Sequence, residues 1–177
     1  MKQKLVLIGN GMAGVRTLEE LLKLAPDSYE ITVFGAEPHP NYNRIMLSPV
    51  LAGEKTIDDI SLNSREWYAE KGIRLISGDP VVEINRARRH VRTRDGVVAG
   101  YDRLLIATGS NPFIIPVPGH DKAGVIGFRD IADVETMLHA AKDYKRAVVI
   151  GGGLLGLEAA NRSEEHTSEL QSRQSSS

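Results

Sequence analysis

Lys4-Leu5-Val6-Leu7-Ile8-Gly9-Asn10-Gly11-Met12-Ala13-Gly14 runs from a short apolar strand into a G-x-G-x-x-G turn, after which Met12, Val15, Leu18, Leu21 and Leu22 recur at helical spacing. In such a turn the first glycine makes the tight bend, the second lets backbone approach a pyrophosphate, and the third lets the helix pack on its strand. The diphosphate then rests on unpaired N–H groups at the helix N-terminus. Gly9, Asn10, Gly11, Met12, Ala13 and Gly14 are therefore candidate dinucleotide contacts. Pro26-Asp27-Ser28 ends the helix and Glu30-Ile31-Thr32-Val33-Phe34 reads as the second strand. Glu37 follows, 23 positions after Gly14, where a carboxylate can accept hydrogen bonds from both ribose hydroxyls of an adenosine. A lone Glu in a loop is ordinarily just solvated, but the complete strand, turn, helix and strand before Glu37 assign it to ribose binding.

About 140 residues further on, Arg146-Ala147-Val148-Val149-Ile150 leads into Gly151-Gly152-Gly153-Leu154-Leu155-Gly156. One such motif is weak, since a glycine-rich turn is often only a turn. Two in one chain imply two dinucleotides, and Gly151, Gly153, Leu154, Leu155 and Gly156 become the second set of candidate contacts. Arg146 to Ile150 is expected to be the first strand of a second unit.

Between the motifs, the stretch from Gly35 to about Ile60 is rich in Pro, Asn and Gly and reads as a long irregular loop, a feature more often functional than idle. Ser64 should cap a short helix starting at Arg65, followed by a strand at Ile73 to Ser77. Val81 to Asn85, Arg89 to Thr93 and Val97 to Ala99, with Asp95-Gly96 as a turn, predict a small antiparallel meander able to cover one face of a parallel sheet. Tyr101 to Ala107 returns as a strand, Asn111 to Gly119 reads as an extended linker, and Asp130 to about Tyr144 as a capped amphipathic helix. The fold class is thus α/β: a Rossmann-like domain with a parallel sheet and a small antiparallel meander, then the start of a second Rossmann-like domain. The expected boundaries are 1–119 and 120–161.

With 41% hydrophobic and 25% charged residues among 177, the chain belongs to the ordinary globular class. A net charge of −1 and a pI near 6.5 give no general attraction to nucleic acid or anionic membranes. No apolar run approaches the roughly 20 residues that span a bilayer, so the expected location is cytoplasmic. The complete absence of cysteine excludes disulfides, thiol catalysis and cysteine-held iron–sulfur clusters within these residues, and no metal site is expected.

The end of the chain departs from this pattern. Arg162 to Ser177 contains six serines and only Leu170 as a large apolar residue, whereas a Rossmann helix needs an apolar inner face. Arg162-Ser163-Glu164-Glu165-His166-Thr167-Ser168-Glu169-Leu170-Gln171-Ser172 resembles an in-frame translation of a sequencing-library adapter. Residues 162–177 are expected to be a non-native, disordered tail, with His166 no ligand.

The first glycine motif, Glu37, the Leu104-Leu105-Ile106-Ala107-Thr108-Gly109 segment and the second motif at Gly151 together resemble the FAD/NAD(P)-dependent pyridine nucleotide-disulfide-reductase-like flavoproteins, over residues 1 to about 161. That resemblance implies FAD on the first unit and NADH or NADPH on the second. Ala107, Thr108 and Gly109 would be cofactor contacts at the crossover between domains. It also implies a closing FAD-domain segment lying beyond these residues, so the chain is expected to be truncated and inactive by itself.

Val33 to Arg44, together with Met46-Leu47-Ser48, is most similar to the nitrite reductase large-subunit branch of that family. Related ferredoxin and rubredoxin reductases commonly carry a lysine after the Leu-Ser, and the peroxidases and oxidases a redox cysteine near there, where this sequence has Pro49. Arg44 suits a planar, charge-assisted contact with phosphate or adenine rather than plain solvation. Asn43 and Ser48 are either cofactor contacts or turn residues. Val82 is either a backbone contact to adenine, as the resemblance implies, or a core residue. His39 reads as an ordinary loop residue and Gly78-Asp79 as a turn. Alternation of Arg86, Arg88, His90, Arg92 and Arg94 would place them on one face of an unbulged meander, expected to be solvated rather than a docking surface.

The function implied is that of an FAD-dependent NAD(P)H oxidoreductase passing hydride to FAD, with no catalytic side chain required of this segment. In the nitrite reductase branch the electrons would continue to iron–sulfur and sirohaem centres in downstream redox domains, which are not in this segment. The alternatives are a ferredoxin- or rubredoxin-type reductase, and a non-catalytic nucleotide-binding module or inactive fragment.

Overall fold

The computed structural model describes residues 2–144, 146–153, 156–158 and 160. By internal contacts the chain divides into two compact units, one of Met1–Asn43 with Ser61–Ser110, the other of Arg44–Ile60 with the described residues from Asn111 onward. The division is discontinuous in sequence, and its later boundary falls at Ser110.

The first unit is built on a parallel sheet of β1 (Gln3–Ile8), β2 (Tyr29–Gly35), β5 (Arg74–Ser77) and β9 (Arg103–Ile106), in the order β5-β2-β1-β9. This is the doubly wound order, in which the chain first steps to one side of β1 and then returns on the other. Successive side chains of a strand point to opposite faces, and β1 divides accordingly. Leu5 and Leu7 pack with Val15 and Leu18 of helix α1 (Met12–Leu24) and with Tyr68 of helix α3 (Arg65–Glu70). Val6 and Ile8 pack with Phe34 and Val91 on the other face. Full burial of each such side chain contributes about 1.5–3 kcal/mol. Asp102 sets the register of β9 against β1: its carboxylate accepts from the Lys4 amide at 2.7 Å, and its own amide donates to the Lys4 carbonyl at 2.8 Å.

Val91 lies on the expected meander, formed by β6 (Val81–Asn85), β7 (His90–Thr93) and β8 (Val98–Gly100). The arginine alternation does not become one continuous face. Pairing of β6 with β7 shifts register between Val81 and Glu83, β7 spans only four residues, and Arg92 is paired with Glu83 at 2.7 Å. Arg86 and Arg88 fall in the connecting turn, since a bulge and a left-handed Arg89 (φ 48°) interrupt the two-residue period.

The stretch expected to be irregular contains β3 (Asn41–Tyr42) and helix α2 (Leu47–Leu51), and β4 (Ser61–Asn63) follows it, with β3 and β4 paired antiparallel in the first unit. Two- and three-residue strands leave too little periodicity to be legible in sequence. Ser64 caps α3 by accepting from the Trp67 amide. In the second unit, Asp130 and Asp133 form a reciprocal capping box at the start of α4 (Ile131–Asp143). Residues 146–150 form no strand among the described residues, contrary to expectation, and Val148 is 87% exposed. A strand is defined by its ladder, and no described segment supplies one. Leu154, Leu155 and residues 162–177, on which expectations were also placed, lie outside the described residues.

Candidate functional site

At Gly9 the backbone takes φ 111°, a left-handed value that favours glycine, and a Cβ there would collide with the Ala107 carbonyl and stand 2.9 Å from the Thr108 nitrogen. Close approach of the chain leaving β9 therefore imposes this glycine and brings Ala107 and Thr108 against the turn. At Gly14 a Cβ would stand 2.8 Å from the Gly9 carbonyl oxygen, 3.1 Å from Leu7 Cδ1 and 3.2 Å from Ala107 Cβ. The third glycine lets α1 lie down on β1. Gly11 differs, since a Cβ there would meet nothing within 4 Å. The protein itself does not require glycine at Gly11; the space above it is an open cradle.

That cradle stands at the start of α1, where Gly11 is the N-cap, no side chain caps the helix and no acidic residue occupies the first turn. Helix α4, also 13 residues long, has its capping box. The first N–H groups of a helix lack intrahelical partners and carry the positive end of its dipole. An uncapped start behind an open glycine fits a phosphate anion.

Beside the turn, the loop carrying Glu37 is held by its own carbonyls. The Gly78 amide donates to the Gly35 oxygen at 3.0 Å and the Glu37 oxygen at 2.9 Å, and Arg65 Nη2 donates to the Pro38 oxygen at 2.6 Å. The Glu37 carboxylate accepts from the Tyr42 hydroxyl at 2.7 Å. Asn10 Nδ2 reaches the His39 carbonyl at 3.4 Å, and Asn10 Oδ1 accepts from the Tyr68 hydroxyl at 2.7 Å. Burial pushes the Tyr68 phenol up to about 12.

Gly78-Asp79 is a turn as read, with Asp79 accepting from the Asp95 amide at 3.0 Å. Its glycine amide also fixes the Glu37 loop. Tyr42, Arg65, Tyr68 and Gly78 were not identified from sequence. Tyr42 follows Glu37 closely enough to have been a candidate, whereas Arg65, Tyr68 and Gly78 approach only through the tertiary fold.

A cleft of about 270 Å³ opens at the carboxyl ends of β1 and β9, lined by Ile8, Val82, Ile84, Ile106 and Thr108 among others. In open α/β sheets ligands bind at that end of the strands. Val82 is 54% exposed there, which removes the core alternative for it. A larger cleft of about 410 Å³ lies around Lys2, Lys4 and Tyr29 and contains none of the candidate residues.

In the second unit the described glycine turn repeats the first. Gly151 has φ 139°, a Cβ on Gly156 would collide with the Gly151 carbonyl, and one on Gly153 would meet nothing within 4 Å. The Leu157 amide donates to the Gly153 oxygen at 3.0 Å, as the Val15 amide does to the Gly11 oxygen at 3.1 Å. Arg44 donates to the Arg129 carbonyl at 3.0 Å, and Ser48, 5% exposed, donates to Glu158 at 2.7 Å. Glu158 was also missed; its place two residues after Gly156 was the available signal. Among the described residues, no cluster of three or more His, Asp or Glu side chains could hold a metal, and no helix is long and apolar enough to cross a membrane.

Two glycine-turn helix starts, the first on a doubly wound sheet, define a dinucleotide-binding α/β class. The chain belongs to the pyridine nucleotide-disulphide oxidoreductase family, which it matches over residues 3–170. It is 57% identical over 159 residues to a nitrite reductase [NAD(P)H] of Bacillus subtilis, covering 90% of this chain and 20% of that protein. It is 54% identical to the assimilatory nitrate reductase electron transfer subunit of the same organism, covering 90% and 21%. Thus the chain spans about a fifth of the length of these curated relatives. Among solved structures, NADH:rubredoxin oxidoreductase from Clostridium acetobutylicum superposes with a TM-score of 0.83 at 28% identity, over 94% of this chain and 43% of that one.

Proposed function

We propose that the first unit holds the ADP half of FAD and that the second glycine turn receives NADH or NADPH, making this chain part of an NAD(P)H-dependent flavin oxidoreductase of the nitrite reductase type. The observation that carries this reading is the repetition of one glycine-turn geometry at Gly9–Gly14 and Gly151–Gly156 in a single chain.

The residues of the first unit fit the group. Gly11 leaves the space a pyrophosphate needs, and the amides of Met12, Ala13 and Gly14 open an uncapped helix toward it. Glu37, oriented by Tyr42, would take the ribose hydroxyls, and Val82 and Thr108 would border the adenosine side. FAD, when bound, supplies a two-electron acceptor for hydride from NAD(P)H. The chain's own contribution is binding, orientation and exclusion of water, so no general acid or base is assigned. Arg44, Asn43 and Ser48 are assigned supporting roles around the cofactors, and Gly151, Gly153, Leu154, Leu155 and Gly156 the nicotinamide nucleotide. In the longer protein, electrons would pass to iron–sulfur and sirohaem centres in further redox domains, with nitrite as the final acceptor. The expected site of action is the cytoplasm.

Calorimetric titration of the full chain with FAD and with ADP tests the binding step, and NADH-dependent ferricyanide reduction tests the transfer. Saturable FAD binding with a flavin absorption band supports the reading. A colourless protein that binds ADP but not FAD would instead make it a nucleotide-binding module.

A further inference from the structure

Within the first unit, a buried phenol joins two segments that the dinucleotide fingerprint treats as separate. Tyr68 on α3 is 1% exposed. Its hydroxyl contacts Asn10 Oδ1 at 2.7 Å. The Asn10 amide also faces the His39 carbonyl, which can only accept, so its nitrogen points there and its oxygen points at Tyr68. The phenol must therefore be the donor to Asn10. Asn10 stands between Gly9 and Gly11, while His39 and Asn41 follow Glu37 on its loop. The hydroxyl thus orients the one amide that joins the phosphate turn to the ribose loop.

We infer that Tyr68 is a positioning residue whose hydroxyl, through Asn10 and the bond of Asn10 to the His39 carbonyl, fixes the spacing between the glycine turn and Glu37 and thereby sets affinity for a diphosphate joined to a ribose. The inference rests on the reading of the first unit as an adenosine-diphosphate site. A ligand whose phosphates and ribose are covalently linked rewards receptors that already hold both contact groups at the right separation, because binding then orders less of the protein. Core packing explains the ring, which lies with Val15, Leu18 and Ile73. It does not explain the hydroxyl, which is costly to bury and is tolerated because it is bonded to Asn10.

The test uses the full chain, ADP as the probe, and Tyr68→Phe, which keeps the ring and removes only the oxygen. Loss of one such bond should weaken ADP binding about fivefold. It should also speed amide exchange at residues 9–11 and 37–41 while leaving residues 5–8 and 31–34 as protected as before. Because the spacing is what makes Glu37 effective, Glu37→Gln should cost at least about threefold less in the Tyr68→Phe background than alone. A hydroxyl that merely satisfies itself in the core would leave the two penalties independent. If the unsubstituted chain binds ADP and Tyr68→Phe changes neither affinity nor exchange in the two segments, the positioning role is overturned while the site assignment stands. If the unsubstituted chain binds no ADP, the site assignment falls and this inference with it.

Discussion

The hydroxyl of Tyr42, itself 6% exposed, donates to the Glu37 carboxylate at 2.7 Å, so the acidic residue of the first dinucleotide unit is aimed by a neighbour five positions along. Glu37→Ala should weaken ADP or FAD binding by about 1–3 kcal/mol through loss of charge-assisted ribose hydrogen bonds. Tyr42→Phe should lose a smaller part of the same affinity, about 0.5–1.5 kcal/mol. Isothermal calorimetry on both variants checks the ranking; unchanged affinity in Glu37→Ala would remove the ribose assignment.

The three glycines of the first turn should separate by experiment. Gly14→Ala places a Cβ 2.8 Å from the Gly9 carbonyl and should destabilise the fold by about 1–3 kcal/mol, read from the denaturation midpoint. Gly11→Val enters open space and should leave the far-UV circular dichroism nearly native while abolishing ADP and FAD retention. Full ligand binding by Gly11→Val would reduce the motif to a structural turn.

Tyr68 should be visible in the alkaline limb of the stability curve. Its folded-state value, about 12, lies above the ordinary 10, so the fold favours the protonated phenol. That contribution is complete below pH 10 and is lost as the pH rises toward 12, because the unfolded chain gives up the proton first. Urea titrations between pH 9 and 12 should therefore show stability falling more steeply in the unsubstituted chain than in Tyr68→Phe.

Residues 146–150 carry no ladder among the described residues, whereas Leu5 to Ile8 are paired on both sides by β2 and β9. Amides at 147–150 should exchange faster than those at 5–8 by several orders of magnitude at neutral pH. Comparable protection in the two segments would mean that 146–150 are paired in solution.

The sequence by itself determined the elements whose signal is local. The apolar run Leu5 to Ile8, the glycines of the turn and the helical spacing of Val15 and Leu18 impose strand, turn and helix through short-range sterics and periodicity, and the structure has them where they were read. Ser64 and Asp130 announced two helix starts because a cap acts on amides three residues away. Glu37 is nominated by the sequence alone because its distance from the glycine turn is a property of the chain. Residues 146–150 read equally well as a strand, yet form none among the described residues, because pairing is settled by a partner rather than by the run itself. Tertiary structure alone decided what surrounds the candidate site. Tyr68 meets Asn10 across 58 positions, Gly78 meets the Glu37 loop across 41, and Ala107 closes on Gly9 across 98, contacts that exist only once parallel strands have been set side by side. Hydrogen-bond partners at such separations follow from sheet order and register, which no local pattern encodes.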